Sequence, residues 1–231
     1  MRTRLFALAL AAALTLTLSG CGGDDKPKAE DKTLAPRLAK AKATLDDAET
    51  VTIALATKKL PTGVTGLLSA TGEGNHSPAF RGKVKVIVGS ASVGADVVAV
   101  DGTVYAKTGF TPVFAPIDPA SLKAPDPATL IATSGGVSDL LIKTTKLTDG
   151  GKTRDGSTVL LSIKGRLPGT IVKSLVPSAD PTKSFAVAYR LTDDDVLRDA
   201  TITGPFYPKA DNVTYTIKIS TSETPVTIKK P

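Results

Sequence analysis

The stretch ADVVAVDGTVYAK, residues 95–107, decides the fold. On both sides of Asp101 and Gly102 the residues are rich in valine and alternate between larger and smaller side chains, as half-buried strands do. Asp-Gly is a favoured pair in two-residue hairpin turns, where both residues take positive φ angles. The stretch therefore predicts two antiparallel strands joined by a tight turn.

The rest of the chain repeats this pattern at short spacings. Apolar residues alternate along 51–56 and 83–88, which predicts two more strands. Further strands are predicted at Thr158 to Lys164, Phe185 to Leu191, Val196 to Thr203, Asn212 to Ser220 and Val226 to Lys229. Tight turns between them make these strands antiparallel neighbours.

Helical spacing is limited to a few segments. Leu34, Leu38, Ala41 and Leu45 recur on one face, which predicts an amphipathic helix from Leu34 to Glu49. Shorter helical segments are predicted at Asp126 to Ile131, Val137 to Leu147 and Pro168 to Val176. Short helices over one face of an antiparallel sheet give an α+β architecture.

The N-terminus has the anatomy of a lipoprotein export signal. Arg2 and Arg4 precede an apolar run, and LSGC at residues 18–21 forms a lipobox. We expect residues 1–20 to be a signal peptide that is removed, and Cys21 to carry lipid. The alternatives are a free thiol after an ordinary signal or an uncleaved membrane helix, for which the apolar run is too short.

The lipobox divides the chain into three parts. After the signal peptide, residues 21–32 are small and charged and predict a flexible tether. Residues 33–231 are predicted to form a single domain. Such a protein is exported and anchored to the outer face of the cell membrane by lipidated Cys21.

Composition argues against several function classes. The formal net charge of +7 is spread along the chain, too diffusely to predict nucleic-acid binding, although it suits contact with an anionic membrane. The single histidine, His76, lies in the turn-rich residues 72–78, which predict an exposed loop. Asp193, Asp194 and Asp195 predict an acidic turn rather than a calcium loop. We therefore expect no enzyme activity, no metal site and no cofactor.

The predicted sheet has few large aromatic side chains to fill its core. The whole chain contains no tryptophan, and only 4% of its residues are aromatic. In the strand from Phe185 to Leu191, one face carries large side chains and the other carries Ala186 and Ala188. A sheet face that carries small alanine side chains can leave room for a guest molecule. Alternatively, helices can pack closely against the alanines. Periodicity alone leaves both open.

Several segments together resemble a known family. These are the lipobox, the leading helix, GKVKV at 82–86, the hairpin at 95–106, the stretches DPA at 118–120 and PDP at 125–127, and the closing segment from Thr216 to Pro231. They are similar to the LppX/LprA/LprF/LprG lipoproteins, with the hairpin as the most specific part. The resemblance implies a strongly bent antiparallel half-barrel, like the carriers LolA and LolB, with helices over its concave face enclosing an apolar cavity.

The resemblance also implies a function. It is the binding and transfer across the cell envelope of multiply acylated lipids or glycolipids, such as triacylglycerides or phosphatidylinositol-based glycolipids. The implied protein is a monomer, with a membrane transporter as a potential partner. The alternative is a structural or signalling surface lipoprotein that presents loops to a protein or polysaccharide partner.

A set of apolar residues is expected to line this cavity. On the sheet side they are Val84, Val86, Val97, Val104, Val159, Leu161, Ile163, Val187 and Tyr189, and on the lid side Leu130, Leu140, Leu141, Ile171 and Leu175. Each of them would serve equally well in an ordinary packed core. Lys83, Lys85 and Lys143 are candidates to meet a phosphate headgroup, with plain surface solvation as the alternative.

Overall fold

A computed structural model describes residues 31–231. The predicted signal peptide, Cys21 and most of the predicted tether lie outside the described residues. The described chain forms one antiparallel sheet of eleven strands, β1 to β11. Their bounds are Thr50–Thr57, Gly66–Asn75, Ala79–Val88, Ala91–Val100, Thr103–Thr108, Ala115–Ile117, Thr145–Asp155, Thr158–Pro168, Ser184–Leu191, Leu197–Gly204 and Val213–Ser222.

The sheet is an open half-barrel. Its strand order is β6-β5-β4-β3-β2-β1-β11-β10-β9-β8-β7, so β1 and β11 pair at the centre and β6 and β7 form the two edges. Directly paired residues share a face, and apolar pairs such as Ile53 with Ile219 and Leu55 with Ile217 are buried. The core therefore lies on one face of the sheet, as the α+β half-barrel prediction required.

The hairpin predicted from residues 95–107 is confirmed. β4 and β5 pair directly across Asp101 and Gly102, and both turn residues have positive φ, 52° and 69°. Both positive angles match the right-handed twist of the flanking strands.

Two glycines allow an aromatic ring to lie against the backbone of the sheet. Gly72 in β2 pairs with Gly82 in β3. A Cβ built on Gly72 would lie 2.4 Å from Cζ of Phe80, and one built on Gly82 would lie 2.8 Å from the same atom. Side chains at these positions would displace the ring, so the glycines let Phe80 be buried here.

Three helices cover the concave face of the sheet. They are α1 (Leu34–Asp46), α2 (Val137–Lys143) and α3 (Gly169–Leu175), and two 3₁₀ turns at Pro119–Leu122 and Thr129–Ile131 precede α2. α1 packs mainly against α2, and its buried residues are Leu34, Leu38, Ala41 and Leu45, the spacing read from the sequence. Among residues 31–231, none of the helices has the length and apolar character needed to cross a bilayer.

The helix predictions are correct in position but too long. α1 begins at Leu34 and ends at Asp46, and the segment from Asp126 to Ile131 contains only a 3₁₀ turn. The prediction of one helical segment from Val137 to Leu147 is wrong beyond Lys143, because Thr144 is extended and β7 begins at Thr145. β7 is an edge strand of largely polar residues, and β2 is rich in glycine, so neither has clear apolar alternation.

The strand predicted at Val226 to Lys229 is absent. β11 already pairs with β1 on one side and β10 on the other, so no free ladder remains beside it. The carbonyl of Val226 instead accepts a hydrogen bond from the Asn75 side chain, at 3.0 Å.

The prediction of an exposed loop around His76 is also wrong. Residues 72–75 belong to β2, and the half-buried His76 ring lies between two carbonyl groups. Nδ1 is 2.7 Å from the oxygen of Ile131, and Nε2 is 3.1 Å from that of Leu45. The acidic turn predicted at Asp193 to Asp195 is confirmed between β9 and β10, where Asp195 pairs with Arg37 of α1.

Candidate functional site

An apolar void lies between the concave face of the sheet and its cover, which we call the lid: residues 118–143 together with α3. The volume of this void is about 40 Å³, which leaves room for very few atoms. The lining is Leu55, Leu67, Lys123, Pro125, Leu130, Val137, Leu140, Val172, Leu175, Val176, Ile202, Phe206, Tyr207, Tyr215 and Ile217.

Aromatic side chains form one wall of the void. Phe206 packs edge-to-face on Phe185 and on Tyr215, with ring centroids 4.9 Å and 5.0 Å apart. Such pairs add stability beyond the apolar area that they bury. This cluster ties β9 and β11 to the β10–β11 connection, and it holds the wall in one arrangement.

The tyrosine hydroxyls beside the void are hydrogen-bonded. The Tyr207 and Tyr215 oxygens are 2.8 Å apart, and the Tyr215 hydroxyl donates to the Leu67 carbonyl at 2.5 Å. Burial raises the pKa of both tyrosines above the usual range, so both stay neutral. With these groups satisfied, the void presents carbon surface to a guest.

A second buried hydroxyl cluster fastens α2 to the sheet. The Thr144 hydroxyl donates to the Leu140 carbonyl at 2.6 Å and lies 2.8 Å from the Tyr189 hydroxyl. The Tyr189 hydroxyl is also 3.1 Å from the Leu140 oxygen. Burial raises the pKa of Tyr189, which keeps it neutral. The C-terminal end of α2 is thereby fixed to β9.

An ionic cluster joins α2 to α1. The ammonium group of Lys42 lies 2.6 Å from Asp46 and 3.0 Å from Asp139, and it donates to the Thr133 carbonyl at 2.8 Å. The Gly135 backbone N–H and then Lys42 hold the pKa of Asp139 below its usual range. Together with His76, this cluster fixes the lid to α1.

One charged residue stands at the edge of the void. Lys123 follows the first 3₁₀ turn with a left-handed φ of 55°, and its side chain is exposed. It is the charged member of an otherwise uncharged lining. Its ammonium group would suit an anionic or polar headgroup at the end of an apolar chain.

Comparison with known protein families identifies the chain. Residues 32–228 match the family model described as LppX_LprAFG lipoprotein. The chain belongs to the LppX_LprAFG family. The resemblance noted in the sequence is therefore confirmed. Among curated proteins, none matches the chain in sequence.

Two solved structures of LppX_LprAFG lipoproteins share the fold. LprF from Mycobacterium bovis aligns with a TM-score of 0.70 at 16% identity, covering 88% of this chain and 99% of LprF. The Mycobacterium tuberculosis lipoprotein LppX aligns with a TM-score of 0.62 at 18% identity, covering 86% of this chain and 100% of LppX. The open half-barrel is thus common to all three chains.

Within this LppX_LprAFG fold, three of the residues expected at the cavity border the void: Leu130, Leu140 and Leu175. The other expected residues lie elsewhere. Those buried in the core are Val86, Val97, Val104, Leu141, Leu161, Ile163, Val187 and Tyr189, and those half-buried are Val84, Val159 and Ile171. All of these buried residues belong to the same hydrophobic core as the residues that line the void.

The residues that line the void on the sheet side were not predicted from the sequence. They are Leu55, Leu67, Ile202, Tyr215 and Ile217, on β1, β2, β10 and β11. Alternation along β11 marks Tyr215 and Ile217 as inward-facing. The central pairing of β1 with β11 is what places them under the lid, and sequence spacing does not reveal that pairing.

The polar candidates lie outside the void. Lys83 is exposed and pairs with Asp96 at 2.5 Å, and Lys85 and Lys143 are exposed. Ala186 and Ala188 line an outer groove with Lys164 and Arg166 rather than the void. No group of metal-ligating side chains occurs between residues 31 and 231.

Proposed function

We propose that this LppX_LprAFG protein is a non-enzymatic lipoprotein that binds and transfers lipids within the cell envelope. The observation that carries the proposal is the apolar void between the sheet and a helical lid. Its tyrosine hydroxyls are already paired, and Lys123 stands at its edge. A site of this kind favours an apolar chain with a polar or anionic end.

Acyl chains provide enough binding free energy without any catalytic group. Each methylene removed from water contributes about 0.8 kcal/mol, so a long chain gains several kcal/mol even after the cost of ordering it. The lipids we propose are multiply acylated lipids or glycolipids, such as triacylglycerides and phosphatidylinositol-based glycolipids. The void of about 40 Å³ is far smaller than such a chain, so binding requires the lid to move away from the sheet.

The lid is built for such a movement. Residues 118–136 contain no strand and cross the concave face between β6 and α2. His76, Lys42 and Tyr189 attach this stretch and α2 to their surroundings by hydrogen bonds. Buried apolar side chains such as Leu130 and Leu141 pack it against the core. Opening the lid would cost these hydrogen bonds and the exposure of its apolar side chains, and a bound acyl chain would cover that apolar surface again.

The proposal includes the membrane anchor expected from the sequence. Lipidated Cys21 would hold the protein at the outer face of the cell membrane after removal of residues 1–20. Residues 21–32 would serve as a tether and residues 33–231 as one lipid-binding domain. A membrane transporter would be a suitable partner to deliver lipid.

A matched pair of substitutions in β11 tests the lipid site. Ile217 and Ile219 are both buried on the concave face, but of the two only Ile217 borders the void. We expect Ile217→Trp to fill the void, to cost less stability than Ile219→Trp because part of its ring enters free space, and to lose bound lipid. Ile219→Trp overpacks the core, which typically costs 1–3 kcal/mol, and should melt several degrees lower while retaining lipid.

The measurement is mass spectrometry of lipids that co-purify from the native membrane, with thermal melting of the same preparations. Diacyl or triacyl lipids bound to the wild type and to Ile219→Trp, but not to Ile217→Trp, would support the proposal. A lipid-free wild type, with equal losses of stability in both variants, would favour a packed interior and a lipoprotein that presents its loops to a partner.

A further inference from the structure

Large apolar side chains are exposed on one flank of the sheet. Phe110 is 91% exposed and Val113 is 67% exposed, both in the β5–β6 connection, and Val88 at the end of β3 is 42% exposed. All three lie at connections on the same rim of the sheet, and exposed large apolar groups on one surface mark a site that contacts another apolar phase.

The loop that carries Phe110 is held in shape by its own hydrogen bonds. The Thr108 hydroxyl accepts from the backbone N–H groups of Phe110 and Thr111, at 3.1 Å and 3.0 Å. The Thr108 N–H in turn donates to the Thr111 carbonyl at 3.1 Å. This turn projects Phe110 outward as a fixed feature, and in the same connection the ring of Phe114 lies 5.2 Å from the ammonium group of Lys107.

The connections at the two rims of the sheet differ in their charged residues. The upper rim consists of the β1–β2, β3–β4, β5–β6, β8–β9 and β10–β11 connections. It contains two aspartates, Asp180 and Asp211, and five lysines: Lys58, Lys59, Lys173, Lys183 and Lys209. The lower rim, made of the β2–β3, β4–β5, β7–β8 and β9–β10 connections, contains no lysine or arginine and four aspartates: Asp101, Asp193, Asp194 and Asp195.

The upper rim is also the rim nearest the void. Phe206 and Tyr207, which line the void, belong to the β10–β11 connection, and Leu175 and Val176 belong to the β8–β9 connection. All five upper-rim lysines are exposed. The salt bridges between described residues are formed by other cations.

We propose that the upper rim docks onto an anionic lipid bilayer, with Phe110 and Val113 entering the interface and the rim lysines facing the headgroups. Basic side chains beside exposed aromatic and aliphatic ones are the combination that binds such surfaces. The connections of the lower rim carry no lysine, and Arg37 and Lys40 of α1 pair there with Asp195, so docking through the upper rim is favoured and places the void next to the membrane. Docking of this rim rests on the proposed function, but it can be measured without detecting bound lipid.

A single introduced tryptophan tests the docking, because the chain contains none. The complete lipoprotein bearing Phe110→Trp is reconstituted into phosphatidylglycerol–phosphatidylcholine vesicles that contain bromine-labelled acyl chains. We expect bromine quenching and a blue shift of the emission, both weaker in pure phosphatidylcholine and at high salt. Ser157→Trp, an exposed position on the lower rim, is the matched control and should show neither effect.

A second substitution separates charge from insertion. In the Phe110→Trp background, Lys59→Gln should lower the ratio of docked to undocked protein about fivefold, as expected for one lysine near an anionic surface. Absence of quenching at position 110, or equal quenching at 110 and 157, would overturn the proposal. Neither result depends on whether the Ile217→Trp variant keeps its lipid. The docking proposal and the lipid-binding proposal can therefore be refuted independently.

Discussion

The ring of His76 and the carbonyl oxygen of Ile131 lie 2.7 Å apart, joining the β2–β3 turn to the lid. The other ring nitrogen lies 3.1 Å from the Leu45 oxygen near the end of α1. One side chain thus connects three segments that are distant in the sequence.

The first prediction concerns this contact. His76→Ala should lower the free energy of unfolding by about 1–2 kcal/mol, since each hydrogen bond contributes about 0.5–1.5 kcal/mol. The amides of Ile131 and Ala132 should exchange with deuterium faster, because the 3₁₀ turn loses its support. Ser77→Ala, at the exposed neighbouring position, serves as the control. Unchanged exchange at these amides would mean that His76 does not hold the lid.

The second prediction concerns pH. Because the folded protein holds the pKa of Asp139 below its ordinary value, the ionised carboxylate stabilises the fold at pH values above about 4. This stability is lost as the pH falls through the lowered pKa. Asp139→Asn should lower stability by about 1 kcal/mol at pH 7, and the difference from the wild type should shrink towards pH 3.

Chemical denaturation of both proteins at several pH values measures this difference. Asp47→Asn, at an exposed residue that follows α1, is the control and should follow the wild type. If the gap between Asp139→Asn and the wild type stayed constant down to pH 3, ionisation of Asp139 would not be its cause.

The third prediction concerns the hairpin turn. Gly102 has a φ of 69°, and no atom beyond its two chain neighbours lies within 4 Å of a Cβ built there. The cost of a side chain at this position therefore comes from backbone strain. Gly102→Val should cost about 1–3 kcal/mol. Gly94→Val, on the same hairpin, has no positive φ, and a Cβ built there meets the Val84 carbonyl oxygen at an ordinary 4.0 Å, so this variant should be nearly neutral. Equal melting temperatures for the two variants would contradict the turn geometry.

The fourth prediction concerns the anchor expected from the sequence. Cys21→Ala should abolish incorporation of labelled fatty acid, because acylation needs the thiol. The domain should melt as the wild type does, since the charged stretch at residues 22–32 is predicted to be a flexible tether between the anchor and α1. Equal labelling of both proteins would rule out the lipobox.

The sequence determined those parts of the fold that depend on short-range patterns. The hairpin at Asp101 and Gly102 needs only two residues with positive φ between alternating strands, and α1 needs only the spacing of Leu34, Leu38 and Leu45. The family could likewise be recognised from short segments, above all the hairpin at residues 95–106. Strands β2 and β7 were missed because glycine and polar residues hide their alternation.

Only the tertiary structure decided which apolar residues meet at the void. Leu55 and Ile217 lie 162 positions apart and become neighbours because β1 pairs with β11. Leu130 and Leu140 reach the same void because the lid crosses back over the sheet, where His76 and Lys42 hold it. Side-chain periodicity reports which face of a strand is apolar. The order of the strands and the path of the lid set which parts of that face pack tightly and which leave space.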